Sequence, residues 1–396
     1  MAALRIDPAA SAAPRGFALW NLGFRPFFLL AGAFAAVSVT VWTLEFAGWF
    51  GTHAWLRNPL WHAHEMLFGY AFAVVVGFLF TAVRNWTQRP TPSGLLLAGI
   101  VALWIVARLS VLAGLPVLAA AADTAFALAA AAGIAVPLLA SRNRRNYFFV
   151  LLLAGLGCAN LAFHLAMSGR IDIPVRFGLQ VGLDLILFVI AVMGGRVIPM
   201  FTNGGVPGAA ASRRPWLERV ALGSVLAVLA ADAFGAPEVL VVSACAVAAC
   251  AHAARVSLWH PLRTIRVPIV WVLHASYAWI AGSLALRALA GLDLVQASLA
   301  THALTVGAIG GMTLGMMTRV ARGHTGRPLT AGTAETLMYA LVQAAALVRV
   351  LLPLAAPQML LTAVLVSAAL WAAGFTLFTL TYWPILTRPR MDGAPG

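Results

Sequence analysis

Trp61-His-Ala-His-Glu-Met-Leu-Phe-Gly-Tyr-Ala-Phe-Ala-Val-Val-Val-Gly-Phe-Leu-Phe-Thr-Ala-Val83, closed by Arg84, sets the terms for the whole chain. From Ala63 to Val83 it is apolar for about 20 residues, the length that crosses a hydrocarbon core ~30 Å thick. Its opening turn nevertheless carries two imidazoles and a carboxylate, groups that are costly at membrane depth. The stretch therefore reads as a membrane helix with chemistry at one end.

The rest of the chain extends that reading. Of 396 residues, 62% are hydrophobic and only 10% charged, with a mean hydropathy of +0.91. A soluble chain carries about 25% charged residues, and no soluble fold could bury so much apolar surface. Apolar runs of spanning length number about twelve. They are Phe24 to Ala47, Ala63 to Val83, Gly94 to Gly114, Val117 to Leu139, Phe148 to Gly169 and Gly178 to Phe201 in the first half. Leu217 to Phe234, Pro237 to Ala254, Pro268 to Leu289, Ala297 to Val320, Ala331 to Leu352 and Met359 to Ile385 follow. The expected fold class is all-α: a polytopic membrane protein forming a single transmembrane helical domain over 1–396.

Arginine placement tests this parse. All 26 basic residues are Arg, and 19 of them fall in the N-terminal segment, the even-numbered connections and the tail. Six lie on the other side (Arg57, Arg108, Arg170, Arg176, Arg287 and Arg349), and Arg196 lies inside a span. That alternation is the positive-inside pattern with both termini cytoplasmic, residues 1–23 and 386–396 forming the cytoplasmic ends. The net charge of +14 is thus topological and does not call for nucleic acid as a partner. No cleavable signal is expected, because Met1 to Gly23 has no apolar run of its own. Three cysteines, Cys158, Cys245 and Cys250, exclude a disulfide framework and a cysteine zinc site. Trp49, Trp55 and Trp61 in the outer connection fit an interfacial aromatic belt.

The nine histidines sort by depth. His53 is in an outer loop and His260 and His324 are in inner loops. His252 and His274 sit near the inner ends of the eighth and ninth spans, and His274 is a candidate for carrying a proton or for hydrogen-bonding a metal ligand from behind. His62, His64, His164 and His302 all fall at the outer ends of the second, fifth and tenth spans. His164 and His302 are each five residues inside, which at 1.5 Å per residue is about 7 Å of depth. Imidazole binds Fe, Cu and Zn, and ligands from facing helices commonly hold a metal in a bundle core. These four are the candidate metal ligands, with His62, His64 and His302 also the candidates for holding a cofactor.

On a helix, His62 and Glu65 share a face, whereas His64 points about 200° away from His62. One histidine can ligate while the other serves a second group, and Glu65 could orient a ligand or complement the helix dipole. Asn160, one turn from His164, could fix its tautomer. Asp184, at outer depth in the sixth span with Gln180, could pair with Arg176 or accept a proton near the metal layer. Gly307, Gly311 and Gly315 form a packing stripe, opposite a His302 face carrying Val306, Ile309, Thr313 and Met316. The sixth span ends Gly194-Gly-Arg-Val-Ile-Pro-Met-Phe-Thr-Asn203; there Arg196 could snorkel or hold an anion such as a propionate, and Pro199 breaks the helix.

Four stretches, taken together, resemble the NnrS family of bacterial haem- and copper-containing inner-membrane proteins. They are Gly23-Phe-Arg-Pro-Phe-Phe28, Trp61 to Gly69 with Thr81-Ala-Val-Arg-Asn-Trp86, Gly194 to Asn203, and His302-Ala-Leu304 continuing to Gly315-Met-Met-Thr-Arg-Val-Ala-Arg-Gly-His-Thr-Gly-Arg327. The resemblance implies haem and copper as cofactors and a role in protecting denitrifying bacteria from nitric oxide. A looser analogy links the chain to the catalytic subunit of haem–copper oxidases and nitric oxide reductases, which also has about twelve helices and haem-ligating His on the second and tenth; such analogy is associational.

Three functions remain open. The first is a haem/copper redox protein binding or reducing nitric oxide, with an electron donor of unspecified identity, in which His62 or His64 with His302 holds haem and His164 completes a copper or second haem site. The second is a twelve-helix transporter exporting a nitrosylated thiol or iron complex. The third is a haem-based nitric oxide binder or sensor without turnover.

Overall fold

The computed structural model describes residues 16–49 and 59–393. His53, Trp55 and Arg57 lie outside the described residues, as do Arg5 and Arg15. Among the described residues the regular structure is helical throughout, the form in which each backbone polar group is satisfied within its own segment, as a lipid environment demands.

Twelve long helices follow one another. The first six are α1 (Phe24–Phe46), α2 (Leu60–Thr87), α3 (Gly94–Leu112), α4 (Pro116–Ala140), α5 (Phe148–Met167) and α6 (Arg176–Gly205). The second six are α7 (Pro215–Ala233), α8 (Glu238–Leu258), α9 (Pro268–Ala290), α10 (Ala297–His324), α11 (Thr333–Ala355) and α12 (Leu360–Thr387). Proline opens α4, α7 and α9, where a missing N–H costs nothing. The tight α3–α4 and α7–α8 connections turn on Gly114 (φ +70°) and Gly235 (φ +63°), a conformation that glycine adopts without strain.

Among the described residues, eleven helices are long and apolar enough to cross a membrane. The remaining one, α7, carries Glu218, Arg219 and Asp232 within its 19 residues. Two of these charges are used inside the bundle. Glu218 accepts from Arg255 on α8, and Asp232 accepts from Arg287 on α9. Arg255 is therefore not a loop charge, as its place between the eighth and ninth runs suggested. α8 continues to Leu258, and the guanidinium is buried against Glu218 and Tyr277.

Three helices form the centre. The apolar windows of α2, α6 and α10 are 83%, 72% and 72% buried, against 61% or less for every other span. They meet one another and recur every fourth helix, so the remaining nine pack around them. Both described chain ends reach one end of the bundle. Ala18 N donates to Thr387 O at 2.8 Å, and Arg25 Nη1 donates to the carbonyls of Leu386 and Arg388.

Two central helices share a local irregularity. α2 widens to a π-helix over Glu65–Ala71, and α10 does so over Ala303–Gly310. Each widened stretch begins directly after a histidine, His64 or His302. Such turns are uncommon and cluster at functional sites. Carbonyls in these stretches meet side-chain donors: Trp104 Nε1 donates to Gly69 O, and Thr313 Oγ1 to the carbonyls of Ile309 and Gly310.

Candidate functional site

The four outer histidines divide into two pairs, one on each side of α2. His64 and His164 face each other in a buried pocket among α2, α3, α4 and α5, with ring centroids 5.0 Å apart. Between them stands Asp123 of α4. Its Oδ2 is 3.0 Å from His164 Nε2 and 3.6 Å from His64 Nε2. All three side chains are buried, and a donor atom from each lies within 4.8 Å of the others. Ligand atoms about 2.0 Å from a tetrahedral ion sit about 3.3 Å apart, which the two measured separations bracket.

The partners of this trio are fixed. His64 Nδ1 lies 2.8 Å from Glu65 Oε1, and its Nε2 lies 2.8 Å from Asn160 Oδ1. Arg108 of α3 donates to Glu65 Oε1 at 2.6 Å and also to Asp123 Oδ1. The Phe163 ring stacks on His64 at 4.9 Å. Two carboxyl groups, Glu65 and Asp123, thus share one guanidinium in a buried pocket, and a bound cation there would be met by opposite charge.

His62 and His302 line a separate cavity of about 480 Å³ among α1, α2, α6, α10, α11 and α12, at the same end of the bundle, within the size range of cofactor sites. His62 stacks on Trp42 with centroids 4.0 Å apart, and its buried Nδ1 has no hydrogen-bond partner. His302 Nδ1 donates to Ser298 O at 2.7 Å, which leaves Nε2 with the lone pair, the tautomer a metal ligand requires. Arg349 Nη2 lies 3.3 Å from that Nε2. Tyr70 and Trp371 supply aromatic wall, and Tyr70 OH lies 2.5 Å from Thr313 Oγ1, tying α2 to α10.

Several expected partnerships are different. Asn160 meets His64 rather than His164, because His164 turns its Nε2 to Asp123. Asp184 accepts from Gln180 and Arg287 and not from Arg176, which lines the cavity instead. Arg196 is at the opposite end of α6, where it donates to Asn146 and lies over the rings of Phe148 and Phe149. His274, likewise at the far end, bonds Thr202 at 2.8 Å. On α10, Val306 and Ile309 do line the cavity with His302, whereas Thr313 turns its hydroxyl to Tyr70. The widened turn has shifted the phase that a count of 100° per residue assumes. The glycine stripe packs closely on α9, Gly307 against Trp279 and Gly315 against Val272 and Leu273.

Sequence reasoning passed over Asp123, Arg108 and Arg349. The signal was present, for Asp123 is the one acid in the fourth run and both arginines fall within runs of their own. Each was an ionisable group at membrane depth, which by default marks a site. Counting the arginines as topological charges concealed it.

The fold and its paired histidines define a multi-pass, all-helical membrane protein with both histidine pairs at one end of its bundle. Residues 18–390 match the NnrS protein family, nearly the whole chain, and the protein belongs to that family. No curated protein matches the chain.

Proposed function

We propose that the protein is a haem- and copper-binding protein of the bacterial inner membrane, with both termini cytoplasmic, that acts in defence against nitric oxide by binding or reducing it. The observation that carries this reading is the division of four outer histidines into two pairs with different surroundings. His62 and His302 stand on the walls of a cavity of cofactor size, one with an orphaned buried nitrogen and the other with its tautomer set by Ser298. These two would hold haem. His64, His164 and Asp123 would hold copper, a metal that imidazole and carboxylate ligands suit. Glu65 on His64 Nδ1 is the carboxylate–histidine arrangement that orients a metal ligand and raises its basicity.

Haem iron and copper supply one-electron chemistry and affinity for small diatomic gases. The residues around them exclude water and hold geometry. Phe163 covers one face of His64, Trp42 fixes the His62 ring, and Arg108 holds Glu65 and Asp123 in place from a third helix. A neutral, lipid-soluble gas can reach such a buried layer without a polar channel.

Metal analysis and visible spectra of the purified protein and of four single variants test the assignment. His62→Ala and His302→Ala should lose the haem spectrum and keep copper, while His64→Ala and His164→Ala should lose copper and keep haem. A wild-type preparation free of both metals that still protects a nitric oxide-sensitive strain would overturn it. Anaerobic nitric oxide consumption by the reduced protein then separates turnover from binding alone. Substrate uptake into proteoliposomes that depends on His302 would instead favour the transporter.

A further inference from the structure

The cavity carries positive charge that no described residue of its wall neutralises. Among the described residues its lining includes Arg349 and Arg176 and no Asp or Glu. Arg349, on α11, is 6% exposed. Its Nη2 reaches Ser298 Oγ at 3.5 Å and His302 Nε2 at 3.3 Å, and its buried Nη1 has no hydrogen-bond partner. Other buried arginines are answered: Arg108 by Glu65 and Asp123, Arg255 by Glu218, and Arg25 by the carbonyls of Leu386 and Arg388. Arg176 enters from the first turn of α6, and the acid that might have claimed it, Asp184, is engaged by Arg287. An isolated guanidinium in a low-dielectric interior is stable only with a counter-charge.

We infer that the occupant of this cavity is an anion that places a carboxylate on Arg349, with Arg176 the second cation at the mouth. The charge follows from the lining alone; the identity of the anion rests on the haem reading above, in which the two propionates of the macrocycle are the carboxylates. Guanidinium suits this role because its planar fork matches a carboxylate in two parallel hydrogen bonds. The contact between Arg349 and His302 adds a consequence. Arg349 sits on the Nε2 lone pair of His302, the pair a metal would need. A carboxylate that draws Arg349 aside releases that nitrogen, so recognition of the anionic arm and ligation by His302 are coupled.

The test uses the full-length protein, stripped of bound cofactor in detergent and titrated with four probes: haemin, its dimethyl ester, iron-free protoporphyrin IX and the dimethyl ester of that porphyrin. Iron-free binding, read by fluorescence, reports charge preference without any ligation. Wild type should prefer each free acid over its ester by about tenfold or more, the scale set by truncating one member of a buried charge pair. Arg349→Gln should abolish that preference, and Arg349→Lys should restore part of it. His302→Ala should keep the acid preference while losing the ligated haemin spectrum. Equal binding of acid and ester to wild type, or an undiminished preference in Arg349→Gln, overturns the inference. If the acid preference holds but haemin shows no imidazole-ligated spectrum, the anion site stands and the haem reading falls. If none of the four probes binds, both fall. Unfolding curves of both Arg349 variants establish that they are folded.

Discussion

Asp123 holds more of the site together than any histidine does. It touches His64, His164 and Arg108, which come from three other helices. Arg108 in turn is the only cation bridging Glu65 to Asp123 among the described contacts. Arg108→Leu leaves two carboxylates without a counter-ion, and removing one partner of a buried pair costs about 3–5 kcal/mol. Denaturant unfolding in detergent should show that loss, together with lower metal content. Removing the Tyr70 hydroxyl is milder. Tyr70→Phe deletes one hydrogen bond between α2 and α10 and should cost about 0.5–1.5 kcal/mol, leaving the His64 pocket and any metal bound there unchanged.

At the scale of the helix, the pair Gly194-Gly195 explains a motif whose chemistry the sequence had attached to Arg196. A Cβ on Gly194 would meet the Tyr277 ring, and one on Gly195 would overlap the Arg255 guanidinium. The two glycines make room on α6 for a buried cluster in which Arg255 holds Glu218 and Tyr277, and Tyr277 OH lies 2.7 Å from His252 Nδ1. Gly195→Ala should destabilise the fold by about 1–3 kcal/mol, the usual cost of overpacking. Because this cluster lies at the opposite end of the bundle from His62, His64, His164 and His302, the spectrum of any cofactor the proposed haem site binds should not change in the variant. A spectral change at unaltered stability would contradict this separation of roles. The widened turns of α2 and α10 belong to this scale too. They re-aim everything beyond His64 and His302, which a fixed 3.6-residue period cannot foresee.

At the scale of the molecule, an even number of helices returns the chain to the end where it began, and Arg25 secures the closure by donating to the carbonyls of Leu386 and Arg388. Together with the arginine bias this predicts that reporters fused to either terminus behave alike. A fluorescent protein should be bright at both ends, and a phosphatase active only outside the cytoplasm should be silent at both. A phosphatase active at one end alone would break the parse. The same arrangement brings the outer starts of α2 and α10 and the outer end of α5 into one layer, where polar groups from helices far apart in sequence meet.

That layer shows where the sequence suffices. Depth in a membrane is a coordinate along each helix, advancing about 1.5 Å per residue, so hydropathy and arginine placement alone determined the spanning segments and the common level of His62, His64, His164 and His302. The angle around each helix is also periodic, which is why His62 and His64 could be read as facing apart. What lies opposite each face is not written locally. Only the tertiary structure decided that His64 meets Asp123 and His164 while His62 and His302 share a cavity, that Arg287 takes Asp184, and that Arg349 meets His302. Those pairings depend on which helices become neighbours and on two widened turns that shift the phase, and both are properties of the packed bundle.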